Sequence, residues 1–165
     1  METQQEIYFY RVSDKFGYMS NFYKVNFVDE NGVKFNCSEQ FFMYKKCQIF
    51  DPNNNTVLEQ ILHESNPMKI KEYGRLVQNY NDSEWSELRY NIMINALRLK
   101  FGQNQRLKQK LLDTGNKVIY EASKEDKIWG IGFNTKDAIN VEKKTYGLNL
   151  LGNGLMDVRE ELKNK

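Results

Sequence analysis

A glutamate at the start of a predicted helix is the first residue whose setting could support chemistry. Helical spacing of about 100° per residue places Glu39 on one face with Phe42, Met43 and Lys46. A carboxylate on such a mostly apolar face is partly desolvated, so it either pairs with Lys46 or stays poised in a cleft. The alternative is a surface acid that caps the helix dipole and pairs with the lysine two turns on. Spacing alone favours that alternative.

Two cations lie inside an apolar stripe of a longer predicted helix. Arg89 and Lys100 fall within the arc that also carries Trp85, and the rest of that arc is apolar. An arginine offers a two-pronged donor and a lysine offers a point charge, so the pair could clamp a phosphate group. The pattern is equally compatible with long basic side chains that extend past the stripe to reach water.

An acid and a tryptophan precede a glycine-rich bend in the last third of the chain. Asp126 and Trp129 stand just before Gly130 and Gly132. Backbone at such a bend can approach a ligand closely, and an indole ring can stack on a nucleobase. The same string is typical of a solvated loop with one anchoring aromatic side chain, and spacing does not separate the two interpretations.

Several classes of mechanism are excluded by what the sequence lacks. His63 is the only histidine, so neither a Ser-His-Asp triad nor a Cys-His metal site has support. Gly130 and Gly132 lack the third glycine of a dinucleotide fingerprint, because Thr135 stands in its place, and no Walker sequence occurs. We therefore predict no metal and no cofactor, and we interpret His63 as a surface or packing residue.

Composition indicates one folded unit rather than a disordered or strongly basic chain. The 165 residues fit one core, and 40% of them are hydrophobic. A net charge of +2 gives no strong field for a nucleic-acid backbone. Cys37 and Cys47 lie too far apart along one predicted helix to pair, and free thiols suit a reducing compartment. Since neither a signal peptide nor a membrane-length apolar run is found, we predict a soluble cytoplasmic or nuclear protein.

The pattern of elements predicts a helix-rich α+β fold in a single domain over residues 1–165, with residues 1–6 flexible. Short β structure comes first, and Asn31-Gly32 supplies the turn of a hairpin. A bundle of about six helices follows. Start signals mark three of them: Ser38 as an N-cap, Asn66 followed by Pro67, and Asn81 followed by Glu84. Predicted strands cover residues 7–10, 25–28, 33–35 and 118–120, and predicted helices cover 39–50, 56–64, 67–77, 83–101, 107–114 and 148–162.

A series of motifs runs in a fixed order along nearly the whole chain. They are Ser20-Asn21-Phe22-Tyr23, Ser38-Glu39-x-Phe41-Phe42, Gly74-Arg75, Trp85 with Leu97-x-x-Lys100-Phe101, Leu112-x-Thr114-Gly115, Glu121-Ala122-Ser123 to Trp129-Gly130-x-Gly132, and Asn149-Leu150-Leu151-Gly152-x-x-Leu155-Met156-x-Val158-Arg159. Each motif is weak alone. The ordered set resembles the NADAR family, also called YbiA-like.

This resemblance implies N-glycosidase chemistry at a bond between ribose C1′ and a nucleobase nitrogen. Cleavage passes through an oxocarbenium-like centre, which a nearby carboxylate can stabilise or trap. Glu39 matches the family's motif glutamate and is the expected catalytic residue, while Asp126 is expected to orient the ribose or handle a proton. Substrate-binding roles are implied for Asn21 and Phe22, for Lys46, Arg75 and Lys100 toward phosphate, for Trp85 and Trp129 as stacking or pocket walls, and for Gly130 and Asn149.

The chain departs from the family's pattern at two positions. Gln40 stands where histidine is frequent, and Met43 stands where glutamine is frequent. A histidine that could act as the acid is therefore absent, so the proton for the leaving base must come from another group or from solvent.

Three functions stay open on the sequence. The first is removal of ADP-ribose from guanine in nucleic acid, which needs room for a diphosphate. The second is hydrolysis of ribosylaminouracil phosphate intermediates of riboflavin synthesis, which needs one phosphate site. The third is a non-catalytic module that binds ADP-ribose, and the presence of both Glu39 and Asp126 argues against it, because binding alone does not require paired acids. We slightly favour the first, and we expect no membrane association and no obligate protein partner.

Overall fold

Helices dominate the chain, and short strands precede or separate them. The computed structural model describes all residues from 1 to 165. The predicted helix-rich α+β class is confirmed, while the assignment of the whole chain to one domain stays a prediction. In chain order the elements are β1 (Glu6–Phe9), β2 (Phe27–Val28), β3 (Lys34–Phe35), α1 (Ser38–Phe50), α2 (Asn55–His63), α3 (Pro67–Gly74), α4 (Asp82–Gly102), α5 (Gln105–Leu112), β4 (Val118–Glu121), α6 (Thr135–Ala138) and α7 (Leu150–Lys163).

Residues 21–104 form one compact unit, here called the middle unit, and residues 1–20 with 105–165 form a second, the terminal unit. In the middle unit α1 contacts α2, α3 and α4. The antiparallel pair β2–β3 forms the predicted hairpin and packs with α4 and α1. The aromatic rings of Phe27, Phe35 and Phe41 lie within 6.2 Å of one another and join the hairpin to α1.

Asparagine side chains start three helices of the middle unit, because each accepts a hydrogen bond from a backbone N–H that the helix cannot satisfy itself. The bonds run from Val57 N to Asn54, from Met68 N to Asn66 and from Glu84 N to Asn81, at 2.9–3.1 Å. The signals at Asn66 and Asn81 are thereby confirmed.

The predicted N-cap of α1 is wrong by one residue. Cys37, with an extended backbone (φ −167°), occupies the N-cap position without any side-chain hydrogen bond, and Ser38 is the first helical residue. The Ser38 hydroxyl is buried and makes no hydrogen bond. The hydroxyl that was expected to cap the helix therefore lies inside its first turn.

Two predicted helices end two or more residues away from the expected residue, and one helix is missed. α3 ends at Gly74 because the N–H of Arg75 bonds the carbonyl of Glu72, which tightens the last turn. α5 is displaced from 107–114 to Gln105–Leu112, and the four-residue α6 brings the total to seven helices where the sequence predicts about six.

A parallel pair of strands, β1 and β4, lies at the centre of the terminal unit. Ile7 pairs with Ile119, and both are fully buried. α7 packs against β4, and α5 packs against α7. Both strands are predicted from the sequence, but their pairing is not. Flexibility of residues 1–6 stays a prediction; in the structure the Met1 amino group donates to the Tyr8 carbonyl at 2.8 Å.

Asn149 and Gly152 fix the start of α7 against β4. Asn149 adopts a left-handed conformation (φ 52°), and its side chain donates to the carbonyl of Ile119 and accepts from the N–H of Glu121. A Cβ atom at Gly152 would lie 2.2 Å from the Ile119 carbonyl oxygen. The glycine is therefore required for close packing of α7 against β4.

The two cysteines are free, as predicted, and both are buried. His63 is a surface residue with a side chain that is 76% exposed and pairs with Glu59. None of the helices combines the length and the apolar character that crossing a membrane requires. No group of three or more His, Cys, Asp or Glu side chains is arranged to hold a metal ion.

We expect Gly152→Ala to lower the free energy of unfolding by about 1–3 kcal/mol, because the added methyl meets backbone rather than a flexible side chain. Urea denaturation monitored by circular dichroism measures the change. Gly102→Ala is the matched control, since a Cβ there meets nothing within 4 Å. Equal stability of the two variants would contradict the close contact between α7 and β4.

Candidate functional site

Glu39 lies in the first turn of α1 with its side chain almost enclosed. The residue is only 8% exposed, and its backbone N–H donates to the carbonyl oxygen of Asn21 at 3.1 Å. The positive end of the helix dipole favours an ionised carboxylate here. Phe42 and Met43, on the same face, are also buried. The surface-acid alternative is therefore wrong, and the enclosed, mostly apolar setting of Glu39 is confirmed.

Lys46 lies two turns further along α1 and is half-buried. Its Nζ donates to the carbonyl oxygen of Gly74 at 2.9 Å. Burial lowers the pKa of Lys46, the negative charge of Glu39 raises it, and the positive charge of Arg75 lowers it again. Lys46 thus interacts electrostatically with both residues, and the two cations with their one acid form a positively charged cluster.

Gly74 of α3 packs against Met43 of α1. A Cβ atom at this position would lie 2.0 Å from the Met43 sulfur, so a side chain here would require the Met43 side chain to move. The Gly74 carbonyl thereby comes within reach of Lys46, and the exposed Arg75 follows it in the chain. The Gly74-Arg75 motif therefore has a physical reason: the glycine allows the arginine to stand beside the α1 face.

Aromatic residues form one side of this cluster. Trp85 is buried, with its ring centroid 4.8 Å from that of Phe42 and 6.0 Å from that of Phe50. Tyr80 is exposed, and the Lys46 Nζ lies 4.7 Å from its ring centroid. Trp85 joins α4 to α1, as a pocket wall would. Tyr80, which the sequence-based list omits, is the aromatic ring open to solvent.

Lys100 is completely buried, which the sequence pattern does not reveal. Its Nζ lies 5.2 Å from the ring centroid of Phe101 and 5.7 Å from that of Tyr23. Burial lowers the pKa of Lys100 to about 7, and negative charge at Cys37 acts in the opposite direction. The alternative in which this side chain reaches past the stripe to water is wrong. An amine with this pKa exchanges a proton near neutral pH.

Five buried polar side-chain atoms of the middle unit have no hydrogen-bond partner, and three of them belong to Asn21 (Oδ1), Ser38 (Oγ) and Arg89 (Nε). Such atoms are rare in folded proteins and mark places where water or a ligand binds. Asn21 is among the predicted binding residues, and the next residue, Phe22, is half-buried. Ser38 and Arg89 are not on that list. The sequence feature that could have identified Arg89 is its position in the apolar stripe of α4. For Ser38 the feature is its position next to Glu39.

Gln40 has a structural role. Its Nε2 donates to the carbonyl oxygens of Ile61 and Leu62 at 2.9 and 3.2 Å, and its Oε1 accepts from the N–H of Asn36. The side chain therefore satisfies carbonyl groups at the end of α2. In this chain Gln40 joins α1 to the end of α2. The residue that stands where the family frequently has histidine therefore has a structural role.

Asp126 shapes the loop that follows β4. Its Oδ1 accepts hydrogen bonds from the N–H groups of Ile128 and Trp129, both at 2.8 Å, and its carbonyl accepts from Gly132. Carboxylates commonly stabilise turns in this way. Gly132 has a positive φ of 77°, as the bend requires. One carboxylate oxygen of Asp126 is thus committed to the fold.

Gly130, Trp129 and Asn149 also join this loop to the rest of the terminal unit. A Cβ at Gly130 would lie 2.9 Å from the Glu121 carbonyl oxygen. The carbonyl of Gly130 accepts from the N–H of Asn149, and the carbonyl of Trp129 accepts from Leu151. Both polar side-chain atoms of Asn149 bond β4. The loop is therefore held by backbone hydrogen bonds on both sides of the bend.

The predicted site residues are divided between the two units. The middle unit contains Asn21, Phe22, Glu39, Lys46, Arg75, Trp85 and Lys100, and the terminal unit contains Asp126, Trp129, Gly130 and Asn149. Within the middle unit Glu39 interacts with Asn21 and Lys46, and Lys46 in turn interacts with Arg75. Within the terminal unit all four residues belong to, or bond, the loop after β4.

Known proteins resemble the chain over nearly its full length. The family model described as the NADAR domain matches residues 8–163. An N-glycosidase of Acanthamoeba polyphaga mimivirus is 38% identical over 169 residues, which cover 98% of each chain. A riboflavin biosynthesis protein of Vibrio vulnificus is 31% identical and matches 96% of this chain but 39% of its own length. The solution structure of the Escherichia coli protein YbiA superposes with a TM-score of 0.78 at 29% identity, covering 99% of this chain and 88% of that one.

Two substitutions at Asp126 separate its structural role from a chemical one. Asp126→Ala removes the acceptor of two backbone N–H groups, and we expect it to lower the free energy of unfolding by about 1–2 kcal/mol. Asp126→Asn keeps an oxygen at the Oδ1 position, so its stability should stay within about 0.5 kcal/mol of the wild type. Urea denaturation provides both values. Equal losses in the two variants would contradict the loop-shaping role of Oδ1.

Proposed function

The chain belongs to the NADAR family and is an N-glycosidase, and we propose that it removes ADP-ribose from ADP-ribosylated guanine in nucleic acid by hydrolysing the bond between ribose C1′ and the base nitrogen. The observation that carries this proposal is the enclosed carboxylate of Glu39 with Lys46 near it, which in turn interacts with Arg75. An acid in that setting suits a developing sugar cation, and the two basic residues suit phosphate groups attached to the same sugar.

Glu39 is the proposed catalytic carboxylate. As the bond between C1′ and nitrogen breaks, positive charge develops on the ribose, and a carboxylate in a low-dielectric setting stabilises that charge more than it would in water. A water molecule then adds its oxygen to C1′, and the leaving nitrogen takes up a proton. Asn21, whose Oδ1 is buried without a partner and whose carbonyl accepts from Glu39, is proposed to bind the ribose or the base.

Lys100 is the proposed source of the proton for the leaving base. Complete burial makes it a poor ligand for a solvated phosphate, but its pKa of about 7 suits a general acid at neutral pH. Lys100 interacts electrostatically with Cys37, two residues before Glu39, and its Nζ is near Tyr23, two residues after Asn21. Lys100 would thus supply the proton that no histidine is available to donate to the leaving base. Asp126 stays a second proposed acid through Oδ2, which takes no part in the loop's hydrogen bonds to Ile128 and Trp129.

A ribosylaminouracil phosphate of riboflavin synthesis is the second candidate substrate. The riboflavin biosynthesis protein of Vibrio vulnificus is similar over 96% of this chain, which favours it. Both substrates contain the same ribose-to-nitrogen bond, so Glu39 would act alike on either. They differ in their phosphate groups, and the presence of two cations at Glu39 suits the diphosphate of ADP-ribose.

Glu39→Gln should lower kcat at least about 100-fold, because the amide keeps the shape of the side chain but cannot stabilise a sugar cation. The assay offers a guanine-ADP-ribosylated oligonucleotide and a ribosylaminouracil phosphate in parallel, with chromatographic detection of released base. The exposed Glu87→Gln, which makes the same charge change on α4, is the control. Faster release from the oligonucleotide supports the proposed substrate, and faster release from the uracil compound supports the second candidate. Full activity of Glu39→Gln would overturn the catalytic assignment.

The pH dependence of kcat tests Lys100. A general acid acts in its protonated form, which predominates below a pKa of about 7 and is lost as the pH rises through that value. We therefore expect kcat to fall about tenfold per pH unit on the alkaline side of pH 7. Lys100→Arg keeps a positive charge that does not titrate in this range, so it should lower kcat and abolish this alkaline decline. An unchanged alkaline decline in Lys100→Arg would assign it to another group.

A further inference from the structure

Arg89 is a half-buried arginine in α4 that the site described above does not use. It lies one turn after Trp85, within an otherwise apolar stripe. Its Nε is buried and has no hydrogen-bond partner. A buried guanidinium N–H without an acceptor is costly, and it is normally retained only where water or a ligand supplies the acceptor. The Nε–H group of Arg89 therefore lacks an acceptor within the protein, and a bound ligand could supply one.

The neighbours of Arg89 place it at the cation cluster near Glu39. The contact of Trp85 with Phe42 sets this part of α4 against the face of α1 that carries Glu39 and Lys46. Burial and Asp82 raise the pKa of the Tyr80 hydroxyl, and the positive charge of Arg89 acts to lower it. The Lys46 Nζ lies 4.7 Å from the ring centroid of the same tyrosine. Arg89 and Lys46 therefore both lie close to Tyr80.

Two acids of this region have other partners. The Tyr80 hydroxyl donates to Asp82 at 2.7 Å, so the negative charge of Asp82 acts on the same hydroxyl as the positive charge of Arg89. Glu39 interacts with Lys46. Three basic side chains from α1, the end of α3 and α4 thus accompany two carboxylates. Such an excess of positive charge around an unpaired donor fits a multivalent anion.

We propose that Arg89, together with Lys46 and Arg75, binds a phosphate group of the substrate, with the guanidinium donating two parallel hydrogen bonds to phosphate oxygens. This inference deepens the proposed function and rests on it for the position of the scissile bond. It assigns the phosphate contacts to α4 as well as to α1 and α3. The ligand is a phosphorylated ribose, either the diphosphate of ADP-ribose or the monophosphate of a ribosyl 5-phosphate.

Isothermal titration calorimetry with three ligands tests the assignment on the full chain. ADP-ribose and ribose 5-phosphate carry phosphate, and guanosine does not. Arg89→Gln should weaken binding of a phosphorylated ligand about 10- to 100-fold and leave guanosine binding unchanged. Arg89→Lys should recover only part of the loss, since lysine supplies charge without the two-pronged donor. Arg106→Gln removes the same charge from an exposed site on α5 and should change none of the affinities.

The pattern of losses identifies the anion. A loss for ADP-ribose alone assigns Arg89 to the diphosphate, and a similar loss for ribose 5-phosphate assigns it to the monophosphate. Unchanged affinity of Arg89→Gln for both phosphorylated ligands, or an equal loss for guanosine, would overturn the proposal. Circular dichroism verifies that each variant is folded, and Arg89→Lys supplies the test if the glutamine variant is not.

Kinetics distinguish this proposal from the proposed function. With a cleavable substrate, Arg89→Gln should raise KM and leave kcat within about twofold, which is the signature of lost ground-state binding. If the wild type cleaves neither substrate but binds the phosphorylated ligands more tightly than Arg89→Gln does, the proposed function fails and the role of Arg89 stands. If both substrates are cleaved with equal KM by the wild type and by Arg89→Gln, the role of Arg89 fails and the proposed function stands.

Discussion

Charged groups in the middle unit are held away from water, and the properties of the site follow from how each one is compensated. Glu39 lies at the positive end of the α1 dipole, Lys46 donates to the carbonyl of Gly74, and Lys100 has a pKa close to neutrality. Desolvation strengthens every interaction between charges and makes an uncompensated charge costly. The same burial that makes this cluster costly to fold therefore supports the catalytic role proposed for Glu39.

This arrangement requires α1 to be fixed on several sides, and residues next to the reactive ones provide the contacts. Gln40 follows Glu39 and bonds the end of α2, while Met43 lies against Gly74 of α3 and Phe42 against Trp85 of α4. Side chains with a proposed chemical role and side chains with a packing role thus alternate along one helix. A carboxylate must be held within a fraction of an ångström to stabilise a transition state, and these packing contacts fix Glu39 for the role proposed for it.

Local features of the fold are predictable from the sequence because they depend on neighbouring residues. The caps at Asn66 and Asn81 are determined by the backbone N–H groups two or three residues ahead of them. The parallel pairing of β1 with β4 spans more than a hundred residues, and no local pattern specifies it. The same limit applies to the site. Helical spacing places Glu39 on an apolar face, but it cannot show whether α3 and α4 cover that face, and so it favours a surface acid.

Long-range packing also explains why a family motif is not a list of ligand-binding residues. In the loop after β4, Asp126 holds two backbone N–H groups, Gly130 allows close contact with β4, and both polar atoms of the Asn149 side chain bond strand backbone. Each of these residues therefore has a structural role at its position. Around α1 the reverse holds, since a buried carboxylate, a buried lysine and an arginine with an unpartnered Nε all cost stability. Residues that cost stability are better guides to chemistry than residues that add to it, so the search for catalytic groups belongs in the middle unit.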